Sequence, residues 1–193
     1  MSTAHKKKTK IPNINTIESL YRHLQWALEV EHFTIPPYLC ALWSLEEGHN
    51  HEAREVIHSV VMEEMLHMTL VANIMNAVGV RPEIDKPGFI PVYPEVMPHS
   101  GKDKKYEVHL AKFSKNTIKT FMNIEKPQKA GDPPQDGPYD TIGQLYDAVA
   151  EGLEYLVKIY GHDDIFTGNS ADQIDPKYYY GGGGFVFHVA NLK

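Results

Sequence analysis

The chain has 193 residues, of which 42% are hydrophobic, so it is long enough for one domain with a substantial core. Its formal net charge of −6 argues against a nucleic-acid-binding protein, because such proteins carry clustered Lys and Arg. The single Cys40 excludes an internal disulfide, and the lack of a signal segment or a long apolar stretch predicts a cytoplasmic protein without a membrane span.

The first predicted elements are a tail and a long helix. Residues 1–14 contain a run of lysines in a polar context, and we expect a disordered basic tail. Asn15 can cap the helix that follows, with Glu18 at its third position. Apolar residues then recur at helical spacing to about Leu45. The pair Pro36-Pro37 predicts a kink or bulge, because proline removes a backbone donor.

A second helix is predicted from about Asn50 to Val78. Asn50 can cap its beginning, and Glu52 suits the first turn of a helix. Gly79 and Pro82 follow the last apolar residue, which is typical of a helix end. The first two long helices are therefore joined by a short connection.

The next segment, residues 81–138, holds nine of the thirteen prolines. Alternation around Val108 predicts a strand from residue 106 to 110, and residues 114–124 predict a short helix. A loop of this length is uncommon inside a compact domain, so we expect the insertion to cover a site. A last helix is predicted from about Thr141 to Tyr160, followed by a glycine-rich tail that favours a turn over a phosphate loop.

On the first helix, Glu31 lies at the centre of the apolar face. A helical wheel with 100° per residue places only apolar or aromatic residues around it. These are Leu20, Leu24, Ala27, Leu28, Ile35, Tyr38, Leu42 and Leu45. Glu29 falls beside Arg22 and Gln25 on the polar face, so Glu31 points inward and Glu29 outward.

The second helix repeats this arrangement with Glu64 and His67. Both lie in the middle of an apolar face, one turn apart, so a single ion can bind both. That face comprises Ile57, Val60, Val61, Met68, Val71, Met75 and Val78. The opposite, polar face carries Glu55, His58, Thr69, Asn73 and Asn76. Glu63 lies to one side, and we interpret it as a neighbouring group or an alternative ligand. The helix of residues 141–160 places its acids away from its apolar face and predicts packing only.

Simpler explanations exist for buried acids of this kind. An inward Glu can pair with a buried Arg or Lys or stay protonated, and an inward His is often a hydrogen-bonded core residue. Neither apolar face contains an Arg or Lys, however, and two consecutive helices each place an acid at the centre of the core. The pattern therefore favours a metal site formed by Glu31, Glu64 and His67.

Several sequence strings resemble one particular family. Residues 31–39 read Glu-His-Phe-Thr-Ile-Pro-Pro-Tyr-Leu, residues 63–68 read Glu-Glu-Met-Leu-His-Met, and residues 78–82 read Val-Gly-Val-Arg-Pro. Together with Ile-Phe-Thr-Gly at 165–168 and Tyr-Tyr-Gly-Gly-Gly-Gly at 179–184, they resemble the ferritin-like module of iminophenyl-pyruvate dimer synthases and its stand-alone relatives. The dimer synthases act in violacein-type bisindole biosynthesis. The resemblance covers nearly the whole chain.

This resemblance implies a mainly α fold, a ferritin-like helical bundle with a long proline-rich insertion. It places Glu31, Glu64 and His67 at the family's first-half ligand positions. It also implies oxidative chemistry on a small amino-acid-derived substrate, since the dimer synthase couples two imino acids made from tryptophan. Residues 15–193 would form a single ferritin-like domain.

Similar modules continue beyond the glycine-rich segment with two more helices, which add an inward Glu and a second Glu-x-x-His. We therefore expect this chain to lack the last two bundle helices and to hold half of a di-metal carboxylate site. A homodimer would complete the bundle. In the alternative, the helices at 141–160 and 114–124 cap the site within one chain and leave a three-ligand site.

Three functions are compatible with these residues. The first is an oxygen-dependent oxidoreductase, because two carboxylates and an imidazole suit iron, with manganese as the alternative metal. The second is a non-catalytic iron-binding or storage protein, although storage proteins rarely carry so long an insertion. The third is a metal-free structural relative that has lost half of its site.

Overall fold

The structure is a computed structural model that describes residues 11–101, 107–127, 137–179 and 181–192. Most of the predicted basic tail, residues 1–10, lies outside these described residues. Ile14 was included in that predicted tail, yet its side chain is completely buried. It packs on Gly152, where a Cβ atom would lie 2.5 Å from the Ile14 Cβ. The ordered part of the chain therefore begins before residue 15.

Two long antiparallel helices, α1 (Ile17–Trp43) and α2 (His51–Ala77), form the centre of the molecule. Thr16 caps α1, one residue after the predicted Asn15, because its side chain accepts a hydrogen bond from the Ser19 amide at 3.1 Å. Asn50 precedes α2 in a left-handed conformation and makes no side-chain cap. The apolar faces predicted for both helices supply most of the buried core.

The proline pair does not interrupt α1, which continues through Pro36 and Pro37. A helical residue at position 37 would donate its amide to the Phe33 carbonyl, and proline cannot. The Tyr93 hydroxyl from the insertion donates to that carbonyl at 2.6 Å instead. The insertion is thus attached to α1 at the Phe33 carbonyl, which receives no helical hydrogen bond because Pro37 has no amide hydrogen.

In its described residues, the insertion has little regular structure before α3 (Lys115–Ile124). Strands β1 (Glu95–Val96) and β2 (Glu107–Val108) pair antiparallel, so the predicted strand is present over two residues. Ser114 caps α3 through the Thr117 amide. Near the beginning of the insertion, Gln25 of α1 exchanges two hydrogen bonds with the Glu83 backbone.

Helix α4 (Ile142–Tyr160) packs against α1 and begins with a capping box formed by Thr141 and Gln144. A short helix α5 (His162–Ile165) follows, and two 3-10 turns lie at Ser170–Asp172 and Pro176–Tyr178. No helix in the described part of the chain combines the length and apolar content that a membrane span requires.

The last segment runs over the face of α2 that the helical wheel assigned to the polar side. Asn73 is completely buried there. It accepts from the Ile174 amide at 2.7 Å and donates to the Phe187 carbonyl at 3.2 Å. Further along, Gly183 lies so close to Glu63 that a Cβ would be 2.9 Å from its Cγ. The tail therefore covers a helix face that would otherwise be solvated.

Candidate metal centre

The three predicted ligands meet between α1 and α2. Their ligand atoms all lie within 4.8 Å of one another. Glu31 and Glu64 retain only 1% and 4% of their accessible surface, whereas the His67 side chain remains 46% exposed. The apolar faces of the two helices pack together, so residues at the centre of each face become neighbours. The site is thus a buried carboxylate pair with an imidazole at its open side.

His67 lies close to both carboxylates. Its Nδ1 lies 3.3 Å from Glu31 Oε2 and 3.8 Å from Glu64 Oε1. The contact with Glu31 raises the pKa of His67, which favours the imidazolium. A positive charge at this point partly neutralises the two acids.

Glu64 is the acid that burial affects most strongly. Desolvation, followed by the nearby charge of Glu31, raises the pKa of Glu64 to about 9. The buried site therefore disfavours the ionised form of Glu64. A divalent cation would offset this effect, because it stabilises both carboxylates in their ionised form.

Hydroxyl groups orient both carboxylates. Thr34 Oγ1 lies 2.6 Å from Glu64 Oε2. The Tyr146 hydroxyl of α4 donates to Glu31 Oε1 at 2.5 Å. Burial raises the pKa of Tyr146, so this hydroxyl stays a neutral donor. Each acid is held through one oxygen, and its second oxygen faces His67.

A third carboxylate, Glu125, reaches the same region from the end of α3. The Tyr38 hydroxyl of α1 donates to Glu125 Oε1 at 2.5 Å. Desolvation of its carboxyl group, together with the charges of Glu31 and Glu63, raises the pKa of Glu125. Glu125 does not belong to the 4.8 Å ligand cluster found among the described residues.

The site opens into a cavity of about 610 Å³, a size typical of small-molecule sites. Glu31, Glu64, His67, Glu125 and Tyr146 lie along its polar side. The rest of its wall is largely apolar and is formed by Leu70, Val71, Ile74, Ile124, Pro127 and Ile142, with Gly143 and Lys126 completing it. The cavity therefore combines an acidic end with an apolar body.

The residues present fit a divalent metal ion. Two carboxylates and one imidazole are hard and intermediate ligands, the donors that iron and manganese take in proteins. Three protein ligands would also leave coordination positions for water or a substrate. Structural zinc sites differ from this ligand set, because they are closed by four protein ligands that usually include thiolates.

The two other glutamates considered in the sequence analysis, Glu63 and Glu29, lie outside the ligand cluster. Glu63 is exposed, and its negative charge acts on His67 from outside. Glu29 points away and accepts from His99 Nε2 at 2.7 Å, a hydrogen bond that lowers the pKa of Glu29.

Sequence reasoning missed four residues that shape the site: Thr34, Tyr38, Glu125 and Tyr146. Two of them, Tyr38 and Tyr146, are hydroxyl-bearing residues on predicted apolar faces, and such groups need a buried partner. Helix α4 provides no carboxylate to the cluster, as expected, but it does provide the Tyr146 hydroxyl.

Comparison with known proteins agrees with this architecture. The family model described as Ferritin-like matches residues 24–193. The crystal structure of a ferritin-like protein from Caulobacter vibrioides is 31% identical and superposes with a TM-score of 0.65. The match covers 75% of this chain and 55% of that one, so this chain spans little more than half of the relative's length. No curated protein matches the sequence. The chain belongs to the ferritin-like family.

Proposed function

We propose that this chain is a non-haem metal protein, an oxidoreductase that acts on a small amino-acid-derived substrate. Glu31, Glu64 and His67 would hold iron, with manganese as the alternative. The proposal rests on one observation above the others: two buried carboxylates and a histidine converge at the end of an apolar cavity. A bound iron or manganese ion would supply redox chemistry with dioxygen.

The charge of the site supports this proposal. Two ionised carboxylates side by side in a buried place repel each other and lose their hydration. Within the described residues, His67 is the cationic group that contacts them. A divalent cation would compensate the remaining negative charge, and the hydroxyls of Thr34 and Tyr146 would orient the ligand oxygens toward it.

The cavity supports a catalytic role over iron storage. A storage site needs a path for ions, whereas an apolar cavity of about 610 Å³ suits a small organic molecule. The strings at residues 31–39 and 63–68 resemble those of iminophenyl-pyruvate dimer synthases. We therefore propose that the substrate, like theirs, derives from an amino acid.

Metal content tests the ligand assignment. In Glu64→Ala and His67→Ala, the metal bound per chain should fall to a small fraction of that in the unmodified protein, because each change removes one of three ligands. Glu29→Gln is the matched control, since Glu29 is an acid on the same helix as Glu31 that faces away from the site. Inductively coupled plasma mass spectrometry measures the result. Equal loss in all three variants, or loss in none, would reject the assignment.

Oxygen reactivity tests the chemistry. The protein reduced with ferrous iron should change its visible absorption when air is admitted, and His67→Ala should not. The ligand set leaves positions open for oxygen and substrate. Protein isolated from its native host with tightly bound zinc and no oxygen response would contradict an oxidoreductase.

A homodimer that completes the bundle is part of the proposal. The second copy would supply three further ligands, as a two-fold arrangement requires. Glu125 and Tyr146 line the cavity within one chain, so both belong to the site with or without a second copy.

A further inference from the structure

A third carboxylate, Glu125, lines the cavity beside the two acids of the candidate metal cluster. Glu31 and Glu64 face His67, whereas Glu125 is not a member of the cluster found among the described residues. It lines the same cavity and comes from α3, an element that carries none of the three ligands. Its carboxylate is therefore available to a molecule bound in the cavity.

Glu125 is held in place by a buried group. Tyr38 retains 1% of its accessible surface and donates its hydroxyl to Glu125 Oε1 at 2.5 Å. Glu125 also closes α3, because its amide donates to the Phe121 carbonyl at 2.9 Å. A flexible glutamate is thus fixed at both its backbone and its carboxyl group, which leaves Oε2 to accept from a ligand.

Lys126 follows directly and lines the same cavity. The lining of the cavity therefore includes an acidic and a basic residue at consecutive positions of the chain. A free α-amino acid carries the complementary pair, an ammonium and a carboxylate on one carbon. Beyond this pair the wall is apolar, with Leu70, Ile74 and Ile142 among its residues.

We propose that Glu125 and Lys126 bind the ammonium and carboxylate groups of an α-amino acid whose apolar side chain fills the cavity, with Tyr38 positioning Glu125. This inference rests on the proposed function and names its substrate class. An aromatic or branched aliphatic side chain matches the lining residues and the cavity volume of about 610 Å³. Charge-assisted hydrogen bonds at both ends would fix the orientation of the amino acid.

Calorimetric titration with three probes tests the assignment. L-phenylalanine carries both charged groups, phenethylamine carries the ammonium alone, and 3-phenylpropionate carries the carboxylate alone. Glu125→Gln should weaken L-phenylalanine and phenethylamine by about tenfold to a hundredfold and leave 3-phenylpropionate unchanged, because one charged hydrogen bond is lost. Lys126→Met should show the opposite preference.

Tyr38→Phe separates positioning from packing. Loss of the hydroxyl should weaken L-phenylalanine several-fold while 3-phenylpropionate binding stays constant, whereas a packing defect would weaken both probes alike. Metal content is measured on every preparation. Glu125→Gln should keep the metal content of the unmodified protein, and a loss of metal would make Glu125 a ligand and overturn the inference.

Two other results would also overturn it. One is unmodified protein that binds none of the probes, and the other is equal weakening of all three in Glu125→Gln. Failure of the proposed function would give a different result. A protein that binds L-phenylalanine in this pattern but binds no metal would support the amino-acid site and contradict the oxidoreductase assignment.

Discussion

Hydroxyl groups decide how the acids of this site are presented. Thr34 and Tyr38, four residues apart on α1, contact Glu64 and Glu125, which come from α2 and α3. Tyr146 of α4 contacts Glu31. Groups that hold metal-binding side chains in this way commonly matter to metal affinity nearly as much as the ligands themselves. The hydrogen bonds around this site thus join α1 to α2, to the end of α3 and to α4.

The variant Tyr146→Phe tests the role of one hydroxyl group. The change removes the hydroxyl that holds Glu31 and keeps the ring, so metal affinity should fall by about 10–100-fold with little change in folding. Metal competition with a coloured chelator measures the affinity. Tyr155→Phe on the same helix is the control and should match the unmodified protein. Equal affinity in both variants would show that Glu31 needs no partner.

The three candidate ligands were predictable from the sequence, whereas Glu125 was not. Glu31, Glu64 and His67 each sit at the centre of an apolar helical face, and helical periodicity alone predicts that these faces pack together. The position of Glu125 depends on the path of the insertion between α2 and α3, which no local pattern encodes. Its proximity to the site becomes visible only in three dimensions.

At the scale of elements, the boundaries of the long helices follow local chemistry. Predicted and observed ends of α1, α2, α3 and α4 agree within two residues, because residues typical of helix ends, such as Ser114, Thr141 and Gly161, lie beside them. The sequence did not predict that the polar face of α2 would be covered. Asn73 looked solvent-facing on the helical wheel, but the tail covers it and uses both ends of its amide. Irregular segments leave no periodic signal, so their packing could not be predicted.

Gly168 shows how closely the tail approaches α2. A Cβ at Gly168 would collide with the Asn76 carbonyl, and the Gly168 amide donates to the Ala77 carbonyl at 3.0 Å. Gly168→Ala should therefore destabilise the protein by about 1–3 kcal/mol, as overpacking usually does. Thermal unfolding followed by circular dichroism should show a melting temperature lower by about 2–4 °C per kcal/mol.

Gly182→Ala serves as the matched control, since the nearest atom to its Cβ, in Met62, is 3.8 Å away. It should unfold at nearly the temperature of the unmodified protein. A Gly168→Ala variant that is as stable as this control would mean that the tail does not press on the end of α2.

At the scale of the whole molecule, the open question is how many chains enclose one site. The sequence predicted either a homodimer or closure within one chain by α3 and α4. In the described residues, α4 packs on α1, and Glu125 and Tyr146 line the cavity. The exposed side of His67 is where a second copy would approach. The homodimer stays a prediction.

Sedimentation at micromolar concentration tests it. A shared site predicts a particle with twice the chain mass of 21.9 kDa that loses metal when dilution separates the copies. The heterodimer of unmodified chain and His67→Ala should then bind an intermediate amount of metal. A monodisperse monomer that retains one metal per chain would rule out the shared site.

The attachment of the insertion at Pro37 has a consequence for evolution and for engineering. The candidate ligands lie on α1 and α2, whereas Glu125, Lys126 and Pro127 belong to the insertion, which Tyr93 fastens to the Phe33 carbonyl. In the proposed site, exchange of residues within the insertion would therefore alter which molecule is recognised without moving a candidate ligand. Under the same proposal, related chains would diverge in substrate while sharing one reaction, and grafting the insertion from one chain to another would transfer selectivity as a single module.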